Sequence, residues 1–441
     1  MMKTPLVIAL AMVAAGCGSL TETSASQILS SNLFTPSNAG LLAGSVVADF
    51  ECAYADYAAA TGIVSDELGD AQLSQAVWDY DRRTLHNTSP LVDNTCPNST
   101  QGPGVWAPLS TARFDGDNLL GLLNGWTNAQ VANRVQLIGQ TAAYTGYALT
   151  LMGETMCAGA VDGGPKLTPD SLLGLADTHF GTAITNATTA SDASTLTMAY
   201  LGRARERLDR GKAVEAAADA AQIPPAYVKV ATYDASSTRR ENRIWTIMWR
   251  DFFFTVDVPF HHRLYDTSAT TIDTVVHGTD TTIGPVHHGV PDPRVVVDSE
   301  MKPGGGAVIG PDQVTAIWGE QKYQSISDPI PIGHYSEAQL IIAEAQLKAG
   351  NANTAINIIN ALHAAAGLPP YNRTNNPDSV MALIINERAA ELFLEGHRLA
   401  DMIRYGQTFI PLYPAAGMLF KDGGTFGTQL CFPLPVIENG T

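Results

Sequence analysis

The stretch EAQLIIAEAQLKAGNANTAINIINALHAAAGLP, residues 337–369, decides the fold class of this chain of 441 residues. Its apolar residues recur every three or four positions on both sides of Gly350, which is the spacing of amphipathic helices. Gly350 stands where the first helix should end, because glycine adopts a left-handed backbone without a Cβ penalty. The stretch therefore predicts two helices joined by a tight turn.

The same spacing of small residues occurs twice in the chain. Two sets share an alanine, a glycine seven positions later and an alanine five positions after that: Ala204, Gly211 and Ala216, and Ala343, Gly350 and Ala355. We expect the alanines to face the partner helix and the glycine to close the first helix. The spacing resembles the tetratricopeptide repeat, which provides a scaffold surface rather than a reaction centre. An antiparallel helical hairpin of another kind is the alternative.

A second segment, INERAAELFLEGHRLADMIRYG at residues 385–406, is rich in charge. Glu387, Glu391 and Glu395 are four positions apart, so a continuous helix would place them on one face near arginines. Glu395 and His397 are two positions apart and would point away from each other on a helix. We therefore predict a structural network of ion pairs, and neither a metal site nor a catalytic site.

Charge and motifs exclude several functions. The chain has 43 acidic and 26 basic residues, and its formal net charge is −17. This balance repels nucleic-acid phosphates and anionic lipid headgroups, so we expect no nucleic-acid partner. The sequence contains no GxSxG, HExxH or Walker motif, and no GxGxxG followed by a suitable acidic residue. We predict that the protein is not an enzyme and that it uses no metal or cofactor.

The N-terminal segment indicates the compartment. Residues 1–20, MMKTPLVIALAMVAAGCGSL, contain one lysine and an apolar run that is too short to span a bilayer. The sequence AAGC resembles a bacterial lipobox, which makes residues 1–16 a signal peptide and Cys17 the lipid attachment site. Residues 17–38 are polar and small, as in a flexible tether. An ordinary signal peptide with an incidental cysteine is the alternative.

The remaining residues, 39–441, are predicted to form one mainly α domain. Helical periodicity dominates before residue 226 and again from about 334 to 406. Residues 226–330 are rich in Thr, Val, Gly and Pro, which favours loops and short β-strands. Residues 87–111 are predicted to be a loop that carries an exposed tryptophan, Trp106. The expected fold is tetratricopeptide-like helical hairpins packed with an irregular loop-rich region.

Four cysteines follow Cys17 in the sequence: Cys52, Cys96, Cys157 and Cys431. An oxidising compartment permits two disulfides, for which three connectivities exist. We favour Cys52–Cys96, because a bridge there would hold the loop that surrounds Cys96. Free buried thiols are the alternative.

The repeat segment at 337–369 and the charged segment at 385–406 both resemble the SusD/RagB family of outer-membrane nutrient-binding lipoproteins. The residues that carry this resemblance are Glu344, Gly350, Asn351, Ala366, Gly367, Leu368, Glu387, Arg388, Glu391, Glu395, Gly396, His397, Arg398, Asp401, Arg404 and Gly406. Three further segments fit the family: DPRV at 292–295, QKYQSISDPIPI at 321–332 and CFPLPVIENGT at 431–441. The sequence departs from the family at His363 and Ala364, where arginines are common.

The resemblance implies a surface-exposed, lipid-anchored protein of the outer membrane. It implies that the helices pack against a TonB-dependent SusC-like barrel and that the loops capture an oligosaccharide for transport. Sugar rings stack on aromatic side chains, so the loop residues Trp106, Trp318 and Tyr323 are the candidate ligand contacts, each with a core role as the alternative. The alternative functions are capture of peptides, a tetratricopeptide-like assembly lipoprotein that binds only protein, and a secreted hydrolase.

Overall fold

The computed structural model describes residues 30–89, 91, 94–96, 102–261, 264–266, 289–299 and 306–438. The predicted signal peptide at 1–16 and the predicted lipid attachment site, Cys17, lie outside the described residues. Of the predicted tether at 17–38, the described part forms a short helix and a 3₁₀ turn.

Helices dominate the described residues, so the predicted mainly α class is confirmed. In chain order they are α1 Ser30–Leu33, α2 Ala39–Val64, α3 Gln75–Asp81, α4 Trp106–Gly125, α5 Arg134–Thr155, α6 Pro169–Ala190, α7 Ala193–Asp209, α8 Ala213–Ala220, α9 Arg243–Trp245, α10 Tyr335–Lys348, α11 Ala352–Ala365, α12 Pro377–Glu391 and α13 Arg398–Tyr405. A π-helix, Thr246–Arg250, continues α9. Short 3₁₀ turns are Pro36–Asn38, Thr238–Arg240, Val258–Phe260 and Val436–Glu438. No described helix combines the length and apolar character that a membrane span requires.

The helices pack in sequence order as hairpins. Each of α4 to α7 packs on the next helix, and α10 joins the series by contacting α8, α11 and α12. The glycines predicted to close helices have positive φ angles, +74° at Gly211 and +84° at Gly350. The four alanines of the two repeat sets are fully buried. The predicted helix-turn-helix geometry is therefore confirmed at both places.

The long helix α2 is the centre of the core. It packs against α4 and α5, and every residue from Asp49 to Val64 is buried. A helix that is apolar on all sides is stable only when other elements cover it completely. Its rings, Phe50, Tyr54 and Tyr57, form a stacked row, and Phe50 also meets Tyr144 of α5 edge-on at 5.3 Å.

The strands of the described residues form five separate antiparallel pairs. They are β1 Leu68–Asp70 with β3 Phe254–Val256, β2 Val228–Ala231 with β10 Ile330–His334, β4 Leu264–Asp266 with β5 Gly289–Pro291, β6 Val297–Asp298 with β9 Gly319–Glu320, and β7 Val308–Ile309 with β8 Ala316–Ile317. Apart from β1, all of them lie within or at the borders of the loop-rich region predicted at 226–330. None is longer than five residues, as that composition favours.

The charged segment at 385–406 is not one continuous helix. Helix α12 ends at Glu391, and Leu394 and Gly396 adopt left-handed backbone angles, with φ of 55° and 84°. The prediction that Glu395 shares a helical face with the two preceding glutamates is therefore wrong. The chain turns here because it contacts α2: a Cβ atom on Gly396 would lie 2.9 Å from the Tyr57 ring.

Two disulfides connect distant parts of the chain. Cys52 of α2 is bonded to Cys96, the pair that the sequence analysis favours, with a Cα–Cα distance of 6.2 Å. Cys157, which follows α5, is bonded to Cys431, with a Cα–Cα distance of 5.0 Å. The second bridge holds the C-terminal segment against the end of α5.

Candidate functional site

The charged segment at 385–406 acts as a structural clamp. Arg388 pairs with Asp401 at 2.8 Å, and both side chains are almost completely buried. Arg404 pairs with Glu344 of α10 at 2.7 Å, and burial alone would raise the pKa of Glu344, but Arg404 and Lys348 lower it to about 2. The predicted structural network is confirmed, because these charges join helices to each other.

Two of the three further segments that resemble the family, at 292–295 and 321–332, pair with the charged segment. Arg294 of the DPRV segment pairs with Glu391 at 2.8 Å and also contacts Glu387. His363, at a position where the family commonly has arginine, places its Nε2 atom 2.9 Å from Glu387. Burial alone would raise the pKa of Glu387, but the hydrogen bond from His363 and the charge of Arg294 lower it to about 2. Lys322 donates to Glu395 at 2.7 Å.

The tryptophan predicted to be exposed is buried. Helix α4 begins at Trp106, and the side chain, 3% exposed, turns into the main core. The predicted loop at 87–111 is therefore wrong from Trp106 onward. The residues that follow Trp106 form a helix whose first turn is apolar. Trp106 lies in that turn and is buried with it.

The other two predicted ligand contacts differ in their exposure. Tyr323 is 2% exposed and donates its hydroxyl to the carbonyl of Leu394, so its ring is not available for stacking on a ligand. Trp318 is half-buried, and its ring stacks on His261 with 4.1 Å between the ring centres. Of the three aromatic candidates, only Trp318 keeps part of its side chain at the surface, and its role stays a prediction.

A cavity of about 480 Å³ lies where three distant segments meet. Its lining residues are Ser110, Thr111, Arg113 and Phe114 from α4, Ala160, Asp162 and Gly163 from the turn after α5, and Glu438 from the C-terminal segment. We call it the lateral cavity. It combines one aromatic ring, two hydroxyl groups, one guanidinium group and two carboxylates.

Helix α4 supplies the ring and the guanidinium group. Neighbouring residues of a helix point about 100° apart, so Arg113 is 3% exposed whereas Phe114 is 50% exposed. The guanidinium carbon of Arg113 lies 5.8 Å from the centre of the Phe114 ring. Phe114 therefore presents apolar surface directly beside hydrogen-bond donors, which is the arrangement that sugar rings require.

A tight hairpin turn supplies the first carboxylate. Asp162 and Gly163 both have left-handed backbones, with φ of 53° and 70°, and Gly164 donates its amide to the carbonyl of Val161 at 2.9 Å. Gly159 pairs with Leu167 on either side of the turn. An Asp-Gly pair favours this type of two-residue turn, since both positions need positive φ. The turn places the Asp162 carboxylate 2.8 Å from Arg113 Nη1.

The C-terminal segment supplies the second carboxylate. Besides the bond between Cys157 and Cys431, Phe432 donates its amide to the carbonyl of Thr155 at 2.8 Å. The carbonyl of Phe432 in turn accepts the amide of Cys157 at 2.8 Å. These contacts fix the segment beside the hairpin turn, so that the 3₁₀ turn Val436–Glu438 brings Glu438 to the cavity wall.

The polar groups that the cavity offers a ligand are the exposed carboxylate of Asp162 and the hydroxyl group of Thr111, whereas Arg113 is buried. Arg113 uses Nη1 for both of its ion pairs, to Asp162 at 2.8 Å and to Asp117 at 3.2 Å. Its Nε atom has no hydrogen-bond partner among the described residues. Asp117 also lies 3.2 Å from His179, whose pKa burial lowers, so that histidine is neutral at neutral pH. The arrangement suits a ligand with many hydroxyl groups.

The lining residues of this cavity belong to no motif and were not predicted from the sequence. The Asp162–Gly163 dipeptide was available as a hairpin signal, because it lies between residues that can pair. The exposure of Phe114 could not be predicted, because it lies in a periodic helix and depends on which neighbouring elements pack against that helix. Within the described parts of the chain, no group of three or more His, Cys, Asp or Glu side chains could hold a metal ion.

The fold is a series of packed helical hairpins with a cavity at its side. The sequence model of the SusD family matches residues 313–425, which include α10 to α13. This match confirms, over those residues, the resemblance to the SusD/RagB family that the motifs predicted. No curated protein sequence matches it.

Solved structures extend the likeness of fold over most of the chain. A SusD superfamily protein from Bacteroides vulgatus ATCC 8482 is 15% identical and has a TM-score of 0.59, covering 92% of this chain and 96% of its own. The surface glycan-binding protein A of Bacteroides thetaiotaomicron is 16% identical, with a TM-score of 0.59 and coverages of 92% and 97%. B. fragilis NanU is 12% identical, with a TM-score of 0.60 and coverages of 95% and 97%.

Proposed function

We propose that the protein captures an oligosaccharide in the lateral cavity without cleaving it. The observation that carries the proposal is Phe114, an aromatic ring half exposed to a cavity that also offers hydroxyl, guanidinium and carboxylate groups. Stacking on a ring holds the apolar face of a sugar, while the polar groups bind its hydroxyls. The glycan-binding name of one protein with a similar fold supports the same ligand class.

The proposed place of action is the outer membrane. A lipid on Cys17 anchors the protein at the cell surface, and the helical scaffold packs against a TonB-dependent SusC-like barrel that takes up the captured sugar. The family match and the lipobox-like sequence before Cys17 support this assignment. Replacing Cys17 with serine is expected to release the protein from the membrane fraction, which fractionation and intact-mass measurement would test. A variant that stays in the outer membrane with unchanged mass would contradict the anchor.

Binding is expected to be weak, with a Kd in the micromolar to millimolar range, or about −8 to −4 kcal/mol. A capture protein must release its ligand to a transporter, so a long residence time would slow uptake. The cavity is consistent with that range, because it offers one exposed aromatic ring rather than an enclosed apolar pocket.

Calorimetry with a panel of oligosaccharides and, separately, with a mixture of peptides tests the proposal. We expect Phe114→Ala to lower glycan affinity about tenfold, as loss of one stacking contact does. Phe409→Ala removes another exposed phenylalanine, 37% exposed and outside the cavity, and should leave affinity unchanged.

The outcomes separate the alternatives. If peptides bind and no glycan binds, the protein belongs to a peptide-uptake system. If neither binds, a role as an assembly lipoprotein that binds only protein takes the place of the proposal. If glycans bind but only Trp318→Ala weakens them, the ligand lies at Trp318 and the lateral cavity is the wrong site.

A further inference from the structure

Two walls of the lateral cavity begin at one disulfide. Asp162 lies five residues after Cys157, and Glu438 lies seven residues after Cys431. Because Cys157 and Cys431 are bonded to each other, the positions of both carboxylates depend on the same covalent link. Helix α4 supplies the remaining wall and meets the turn through the pair between Arg113 and Asp162.

The tip of the hairpin turn has little packing of its own. Residues 162–166 are all exposed, and backbone hydrogen bonds of 2.9 and 2.7 Å between Gly159 and Leu167 close the turn at its base. Cys157 lies two residues before Gly159, where the chain leaves helix α5. A segment with few buried contacts follows the position of its ends, so the base determines where the Asp162 carboxylate lies.

The C-terminal wall is held at the same base. Phe432, the neighbour of Cys431, exchanges backbone hydrogen bonds with Thr155 and Cys157. Gln429 places its Nε2 atom 3.0 Å from the Sγ atom of Cys157 and donates to the carbonyl of Cys431, also at 3.0 Å. The disulfide is therefore the centre of the joint from which both carboxylate walls extend.

The second disulfide of the chain provides a comparison. Cys52 and Cys96 do not line the lateral cavity, and Cys52 is 3% exposed. Both sulfur-bearing residues of the other bridge, Cys157 and Cys431, are only partly buried. Thiol–disulfide exchange requires access to a sulfur atom, so a thiol reductant reaches Cys157–Cys431 more readily.

We infer that the Cys157–Cys431 disulfide positions the carboxylate walls of the lateral cavity, so that glycan affinity falls when a thiol reductant opens this bridge. The inference rests on the proposed function and names a control of the same site. A thiolate of the reductant forms a bond to one cysteine sulfur as the S–S bond breaks. A second thiol group of the reductant then displaces that sulfur, which leaves two cysteine thiols and an oxidised, disulfide-bonded reductant.

The first test removes each bridge in turn and measures glycan binding by calorimetry. The probe is the tightest binder among neutral tetrasaccharides of glucose, mannose and xylose. We expect Cys157→Ser with Cys431→Ser to lower affinity about tenfold, as loss of one or two hydrogen bonds to a ligand does. Cys52→Ser with Cys96→Ser is the matched control. Both double variants should lower the melting temperature, but the control should keep affinity within about twofold of the parent.

The second test uses the parent protein and does not depend on the folding of a variant. Dithiothreitol is added stepwise to the folded, oxidised protein, and alkylation with mass measurement shows which cysteines become free. We expect Cys157 and Cys431 to be alkylated before Cys52 and Cys96, and glycan affinity to fall in step with them. Reoxidation should restore the affinity.

Three results overturn the inference and leave the proposed function intact. They are unchanged affinity once Cys157–Cys431 is opened, an equal loss of affinity in both double variants, and reduction of Cys52–Cys96 before Cys157–Cys431. Absence of glycan binding by the oxidised parent overturns the proposed function as well.

Discussion

Two regions of this molecule use the same residue types in opposite ways. In the charged segment at 385–406, arginines and carboxylates are buried and paired, as Arg388 and Asp401 are. In the lateral cavity, Arg113 pairs with an exposed carboxylate, that of Asp162, and lies beside an exposed ring, that of Phe114. The first arrangement stabilises a fold, and the second leaves groups available for a ligand.

The difference explains why the recognisable motif does not mark the ligand site. A buried charge requires a partner of fixed geometry, so its residue type and spacing are strongly constrained. The proposed ligand contact, Phe114, requires only an exposed ring at a suitable place on a scaffold. The motif therefore identifies the fold, while the ligand depends on residues that follow no motif.

The strongest way to test the comparison is to break a buried pair. Arg388→Met keeps the apolar stem and leaves Asp401 buried with weaker compensation from Arg404, at 3.2 Å. We expect the free energy of unfolding to fall by about 3–5 kcal/mol, which urea denaturation would measure. Glycan affinity of the molecules that remain folded should not change. A loss below about 1 kcal/mol would mean that the clamp does not stabilise the fold.

A buried carboxyl without a cationic hydrogen-bond partner should have a raised pKa, the opposite of the lowered pKa of the paired Glu344 and Glu387. Glu154 of α5 accepts a hydrogen bond from the neutral hydroxyl of Tyr57 at 2.9 Å, and burial raises its pKa to about 8. In the folded state it therefore holds a proton that the unfolded chain releases near pH 4.5. The stabilising contribution of this bound proton is complete below pH 4.5. It decreases by up to about 1.4 kcal/mol per pH unit as the pH rises from there to about 8.

Glu154→Gln should remove this loss, so the variant gains stability relative to the parent between about pH 5 and pH 8. Thermal unfolding at several pH values would measure the difference. Glu215→Gln, at an exposed position of α8, is the matched control and should leave the pH dependence unchanged. A parallel pH profile for Glu154→Gln and the parent would show that this carboxyl is ionised in the folded protein.

Helix periodicity and turn residues predicted the helical scaffold well, but they did not predict the lateral cavity. The helix-closing role of Gly350 depends on its own backbone angle, which the neighbouring residues determine, so sequence alone identified it. The exposure of Trp106 depends on α4 packing into the core, and the break at Gly396 depends on contact with Tyr57, far away in sequence. The lateral cavity joins segments near residues 113, 162 and 438, and no local pattern predicts that they meet.

Substituting a turn glycine should have a smaller effect on the free energy of unfolding than breaking a buried ion pair. Gly350 has a φ of +84° and no atom within 4 Å of an added Cβ, so a substitution there is opposed by backbone strain alone. We expect Gly350→Val to lower the free energy of unfolding by about 1–2 kcal/mol. Gly44→Ala is the matched control, since Gly44 lies in α2 with open space around it and should gain about 1 kcal/mol. An unchanged melting temperature for Gly350→Val would contradict the turn.

The smallest effect on stability is expected at the ion pair of the lateral cavity. Asp162 pairs with Arg113 at 2.8 Å, about the distance that separates Arg388 from Asp401, but Asp162 is 56% exposed. Losing the exposed Asp162 charge should cost little, since water already solvates that carboxylate and Asp117 still pairs with the buried Arg113. Asparagine also tolerates the left-handed backbone of Asp162, so Asp162→Asn avoids new strain. We expect the free energy of unfolding to change by less than about 0.5 kcal/mol in urea denaturation. A loss comparable to that of Arg388→Met would mean that the cavity charges stabilise the fold, and the contrast between the two regions would then be wrong.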